Sequence, residues 1–381
     1  MIDLAYRDIR HSATKFVVTA LGVGMLFGIV LLMIGVYRGL IEDARSLCDD
    51  VGADLWVVQD NTLGPFGESS RIHSDLEQTL HSIEGIKEIS ALTLYSTQLP
   101  YNGQDLRVFL VGYDPFGSIV PIKDEKLIRG RVIERDRYEM VVSSALGVDL
   151  DSKIVMANDE YKVVGIVTSS VSSGGDPLVY VSLKDSQKIQ FAYTNETIRN
   201  DRARGVLKQD TNIVNAVVAT LREGYDDRVV ADDIAKWKHL SVYTNEEQLE
   251  ILLKNVVEKS ARQIGLFTAI LILVSTVIIG LIIYTMTLEK MKSIAIMKLV
   301  GIANYHIIKM IVKETLILGG IAFVCGSIFA NLTYKNFPKK MVLELQDASM
   351  LFVVILVASV LASLIGVHKV LGANAQSAIG G

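Results

Sequence analysis

Apolar positions in this chain gather into four long uncharged runs, residues 16–37, 263–288, 315–334 and 348–367, of 22, 26, 20 and 20 residues. About 20 helical residues rising ~1.5 Å each cross a ~30 Å hydrocarbon core, so every run is long enough to span a bilayer. The alternative is four buried helices of a large soluble core. Arg7, Arg10 and Lys15 precede the first run, as they would in a signal peptide. Its apolar stretch is too long for an h-region, however, and Arg38-Gly39-Leu40-Ile41-Glu42 is a poor cleavage site, so it reads as a retained anchor.

The positive residues beside the runs set the orientation. Arg7, Arg10 and Lys15 precede the first, Lys290, Lys292, Lys298, Lys309 and Lys313 lie between the second and third, and Lys369 follows the fourth; Lys335, Lys339 and Lys340 dissent. The pattern predicts an α-helical membrane protein with four spans arranged one plus three. Its parts are a cytoplasmic segment 1–15, the first span 16–37, an extracytoplasmic domain 38–262, the second span 263–288, a cytoplasmic loop 289–314, the third span 315–334, a short external loop 335–347, the fourth span 348–367 and a cytoplasmic tail 368–381.

The outer domain reads as α+β. Ala53-Asp54-Leu55-Trp56-Val57-Val58 looks like a strand, Leu76, Leu80 and Ile83 mark an amphipathic helix, and residues 89–99 alternate as a strand does. Ile213, Val214, Val217 and Leu221 stripe a second helix, and a strand is expected at 240–243. Between them, residues 105–183 form a β-rich insertion with a hairpin over 154–164. Two turn-rich stretches, 64–70 with Phe66 and 169–177, read as contacts for cargo or a partner, or as solvated connectors.

From about Asn245 the pattern becomes helical, with Leu249, Leu252, Leu253 and Val256 on one stripe, and one helix is expected over 245–288. At ~66 Å it exceeds the bilayer core by about 36 Å. The excess reads as a stalk, for which Leu40, Ala44 and Leu47 after the first span offer a partner stripe. In the first span, Gly24 and Gly28 form a Gly-x-x-x-Gly pair continued by Gly35. Such an edge permits close backbone approach, either as a seam between two copies or against the chain's own spans.

Charge and chemistry narrow the function. The net charge is −4, with no case for a nucleic-acid binder. Residues 38–262 hold 26 Lys/Arg against 36 Asp/Glu while the two ends hold 12 against 6, so the chain meets two environments. No Gly-x-x-x-x-Gly-Lys-Ser/Thr loop is present, so any ATP and Mg are expected on another chain, with no cofactor in this one. The six histidines are scattered, no metal-ligand spacing occurs, and no Gly-x-Ser-x-Gly elbow appears; neither a metal site nor catalysis is expected. Spans one, two and four carry no Asp, Glu, Lys, Arg or His within their cores, unlike a proton- or ion-driven pump.

The 288–301 segment, Leu288-Glu289-Lys290-Met291-Lys292-Ser293-Ile294-Ala295-Ile296-Met297-Lys298-Leu299-Val300-Gly301, reads as a short helix with Ile294, Met297 and Gly301 on one face. Such a face suits a groove in a partner or a membrane surface. Followed by Lys313-Glu314-Thr315-Leu316-Ile317-Leu318-Gly319-Gly320, this segment resembles the signature region of FtsX-like/MacB-like permeases of ATP-binding-cassette systems. Arg129-Gly130-Arg131-Val132, Glu139-Met140-Val141-Val142 and Tyr161-Lys162-Val163-Val164-Gly165-Ile166 extend the resemblance. Residues 53–59 and the 64–72 loop are most similar to the DevC branch.

The resemblance implies a non-catalytic permease of the inner membrane, both termini cytoplasmic, that dimerises and docks a separate ATPase through a coupling helix carrying Lys290, Ile294, Ala295, Met297, Lys298 and Gly301. Glu314 would open the third span. It implies mechanotransmission, with a lipid, glycolipid or other amphiphile exported through a periplasmic adaptor and a TolC-like outer-membrane channel. The alternatives are an FtsX-like signalling protein that activates a cell-wall hydrolase and a lipoprotein-releasing permease. Two departures stand out: Ser293 where the family has Glu, and an atypical tail from Asn374 to Gly381.

Overall fold

A computed structural model describes residues 9, 13–66, 68, 70–192, 212–237, 239–334 and 340–371. In chain order the elements are α1 (Ala13–Val51), β1 (Leu55–Gln59), β2 (Ile72–His73), α2 (Leu76–Leu80), β3 (Ile86–Tyr101), β4 (Gln104–Tyr113), β5 (Leu127–Gly130), β6 (Glu139–Ser143), β7 (Lys153–Met156), β8 (Asp159–Val167), β9 (Leu178–Ser182) and α3 (Leu183–Ala192). There follow β10 (Ile213–Val214), β11 (Ala216–Leu221), α4 (Asp227–Ala235), β12 (Leu240–Thr244), α5 (Asn245–Leu252), a π turn (Leu253–Val257), α6 (Glu258–Glu289), α7 (Met291–Leu299), α8 (Asn304–Thr333) and α9 (Leu345–Leu371). The chain divides into two compact units, Leu40–Ser260 and Met1–Gly39 with Ala261–Gly381.

The Leu40–Ser260 unit is built on a 10-stranded sheet in the order β12-β1-β11-β3-β4-β9-β6-β8-β5, with β7 paired to β8. Alternation assigns its faces, since successive side chains on a strand point to opposite sides. Trp56 and Val58 join a cluster with Leu92, Val111, Tyr113 and Tyr180. Leu55 and Val57 join Leu80, Ala91, Val217 and Ile234 on the other side. The 105–183 insertion is no separate module: β3 pairs with β11 over its first half and with β4 over its second, so host and insertion share one sheet. Asn102 and Gly103, both at positive φ, close the β3–β4 hairpin, and Ala157 and Asn158 close the expected β7–β8 hairpin. Two-residue hairpin turns with positive φ match the strand twist.

The second helix expected in this unit is a strand. Val217 and Ala219 pack on one face of the sheet and Ala216 and Val218 on the other, so β11 is central and buried on both sides. A strand buried twice is apolar throughout, and a helical stripe can be picked from it by chance. Phe66 is half-buried edge-on against Trp56, with ring centroids 5.2 Å apart, and is not an exposed contact. The 169–177 stretch is a tight turn bridged at Val171 and Pro177.

The single helix expected over 245–288 is interrupted by the π turn, where an extra residue enters the helical path. A capping box of Thr244 and Glu247 starts α5. Of the two expected stalk stripes, Leu40, Ala44, Leu47 and Leu252 are buried, Leu249 and Leu253 are half-buried, and the Val256 side chain lies outside the described residues. Leu47 and Val51 pack into the domain core with Ile119 and Ile122. The Lys126 ammonium donates to Ser46 Oγ and Asp50 Oδ2, both at 2.7 Å, and ties the end of α1 down on that side.

The second unit is a helical assembly. Ala13–Val51, Ser260–Met286 and Asn304–Thr333 contain helix long and apolar enough to cross a membrane; the described apolar part of α9, Leu345–Leu361, is shorter. α8 begins at Asn304, eleven residues before the expected span, so Lys309, Lys313 and Glu314 lie on helix rather than in a loop. Val23, Phe27, Val30 and Leu31 of α1 pack with Ile279, Ala322, Leu351 and Ile355. Arg38 is clamped by Asp347 and by Glu344, the latter at 3.0 Å.

The glycine edge of α1 is filled from within the chain. A methyl group on Gly24 would stand 2.7 Å from the Ala322 carbonyl oxygen, one on Gly28 2.6 Å from a ring carbon of Phe329, and one on Gly35 2.9 Å from Leu343. Of the two readings of Gly24, Gly28 and Gly35, the structure fits packing against the chain's own segments. The same close approach that small residues permit between copies is used here between α1 and α8.

Candidate docking site

The loop expected over 289–314 contains α7, a nine-residue helix. A helix of that length is marginal by itself, so its neighbours must hold it. Ile294 and Ala295 are 3% and 4% exposed. Ile294 packs with Ile307 and Ile311 of α8, joined by Met297, Ile302 and Ile308. The helix ends where Gly301, at φ +92°, donates to the Lys298 carbonyl and Ile302 donates to the Met297 carbonyl at 3.0 Å. This is the Schellman pattern, and glycine takes the left-handed position because a Cβ there is strained.

The expected docking face is thereby corrected. Ile294 and Met297 form the seat of the helix on α8, Ala295 is buried, and Gly301 is its stop signal. The outward apolar positions are Ile296, Leu299, Val300 and Tyr305, at 56%, 63%, 77% and 66% exposure. Sequence spacing missed them because residues 294–300 are apolar nearly all round, and a helix with two apolar faces shows no phase until one is covered. Lys298 is half-buried beside them, and Lys292 and Ser293 are exposed.

Lys290, expected among the docking residues of the coupling helix, turns inward to Glu314, and the two side chains are 15% and 11% exposed. Phe16, Met286, Ile294, Ile311, Thr315 and Leu318 wall the crevice around the pair. Lys15 and Glu289 pair at 3.1 Å on the exposed side of this unit, where solvent screening leaves such a contact worth little.

In the Leu40–Ser260 unit, the motif residues Arg131 and Glu139 form a two-pronged ion pair, with contacts of 3.0 and 2.6 Å. Glu139 also accepts the backbone N–H groups of Glu134 and Arg135. Burial alone would raise the Glu139 carboxyl; Arg131 and the two N–H groups outweigh it and hold the carboxyl below its usual value. A depressed folded value means the contribution to stability is present above the unfolded pKa of about 4.3 and is lost as pH falls through the folded value. Glu139→Gln is therefore expected to lower the unfolding temperature at pH 7, with the gap narrowing below pH ~4. Following tryptophan fluorescence on heating checks this; a deficit of equal size at pH 7 and pH 3.5 refutes it.

The FtsX-like permease C-terminal family matches residues 265–375, which include α7 and α8, and the MacB-like periplasmic core domain matches residues 16–236. The chain belongs to the FtsX-like/MacB-like permease family. As a member it is an ABC transporter permease, which implies an ATPase partner, a dimer and a place in a membrane. An uncharacterized ABC transporter permease of Mycobacterium tuberculosis, Rv0072, is 24% identical over 100% of both chains. A Staphylococcus haemolyticus protein named as a putative hemin transport system permease, HrtB, is 21% identical over 100% of this chain and 99% of its own. Among solved structures, the periplasmic region of MacB from Actinobacillus actinomycetemcomitans is 12% identical, covering 54% of this chain and 94% of that one, with a TM-score of 0.34.

Proposed function

We propose that this permease takes a separate cytoplasmic ATPase onto the exposed apolar edge of α7 and passes ATP-driven closure to its outer domain, moving an amphiphile by mechanotransmission. The observation that carries the reading is the outward set Ile296, Leu299 and Val300 at the end of a short helix whose other face is anchored, with Tyr305 exposed at the start of α8. A compact apolar face on a pre-held helix suits a groove, since little ordering entropy is lost on docking. The family match supports an ATPase as the occupant. Amphiphilic cargo is supported by the relatives named for hemin transport.

Partners of the DevC kind, a periplasmic adaptor and an outer-membrane channel, belong to the same proposal, with the similarity of residues 53–59 and 64–72 as their support. The inner membrane, with cytoplasmic termini, is the matching location, and the ATP and Mg sites fall to the partner. The test is coexpression with ABC-type ATPase subunits of the same organism. The purified permease alone should hydrolyse no ATP, and the complex should. Turnover by the isolated chain, or failure of any ATPase to copurify, defeats the reading.

A further inference from the structure

The geometry points to Lys290 and Glu314 as positioning residues, an internal strut that delivers the load on α7 to α8; this rests on the docking reading above. Glu314 stands on one stripe of α8 with Ile307 and Ile311, at the i, i+4, i+7 positions that share a helix face. Ile307 and Ile311 seat the middle of α7 through Ile294. Lys290, the residue immediately before α7, reaches the carboxylate of the same stripe. The helix is thus held to α8 at two places, one apolar and one ionic, while its docking edge faces away.

The two attachments differ in what they resist. Apolar contact is non-directional and tolerates sliding or rotation of a short helix over its neighbour. An ion pair walled by Phe16, Met286, Ile311 and Leu318 has a defined partner and direction. It is a poor choice for stability alone, because removing two charges from water costs about as much as their attraction returns and an apolar pair would serve. Geometric register is what a charged pair adds at this place. Breaking it should leave the docking edge intact, since Ile294, Ala295 and the Gly301 stop still hold the helix, but should let α7 shift without moving α8.

The experiment uses the full permease–ATPase complex. Lys290→Met and Glu314→Gln should still copurify the ATPase in the wild-type ratio, with the KM for ATP within about twofold, while kcat falls to that of the free ATPase subunit. Lys290→Arg, or the swap K290E/E314K, should restore kcat, because each rebuilds the pair. Wild-type kcat in both single variants would reduce the pair to packing and overturn the inference. Loss of the ATPase from both single variants would overturn it too, by making the pair part of the docking surface. Failure of both Lys290→Arg and the swap to restore kcat would also count against it. If the wild-type complex does not form, the docking reading itself fails, which keeps the two failures distinct.

Discussion

Leu299→Asp or Val300→Asp is expected to strip the ATPase from the purified permease while leaving the permease folded. Both side chains are exposed, at 63% and 77%, so a carboxylate there costs the free protein little. Inside a docking groove the same carboxylate is desolvated and unpaired, at a cost of about 3–5 kcal/mol. That is a loss of more than a hundred-fold in affinity. Ile294→Asp should behave differently, because Ile294 is 3% exposed and seats α7 on α8. Its charge would unseat the helix and destabilise the permease itself. Copurification, with unfolding temperature measured alongside, separates the two effects. Wild-type ATPase binding by both exposed variants would return the 296–300 edge to the membrane surface.

Gly24→Cys, in a Cys48→Ser background, is expected to form a disulfide with Cys325 of the same chain on mild oxidation. A Cβ built on Gly24 lies 2.9 Å from the Cys325 Cβ, slightly inside the ~3.5–4.5 Å of a disulfide, so a small relaxation outward brings the two thiols into range. The product is a monomer whose gel mobility changes on reduction. Bulk at the same edge should be poorly tolerated: Gly28→Leu must displace the Phe329 ring and the Gly326 carbonyl, and overpacking of this kind costs about 1–3 kcal/mol or more. A reducible dimer from Gly24→Cys would mean that the edge faces a second copy after all.

The contrast between these two experiments reflects what a sequence can and cannot hold. The uncharged runs were legible because a bilayer imposes a local requirement of length and apolarity, and three of them fall in helices that meet it. The 154–164 hairpin was legible because its strands and turn are adjacent in sequence. The family resemblance was legible in short motifs, and Arg131 with Glu139 joins two of them in a structural ion pair. Other features depended on which partner each face meets. Residues 216–221 became strand because β1 and β3 flank them, residues 213–214 pair with β2, and the insertion merged with its host because β3 is long enough to serve both.

Helix α7 shows the same division most clearly. Its position between two apolar runs and its glycine stop are written in the chain. Which side faces outward was decided only when Ile307 and Ile311 covered Ile294. The glycines of α1 likewise announced a close approach without naming the partner, and α8 took the place of a second copy. Apolarity, length and turn chemistry are properties of neighbouring residues, so the sequence determines them; the choice among equally apolar faces is a competition between distant surfaces, and only the tertiary structure decides it.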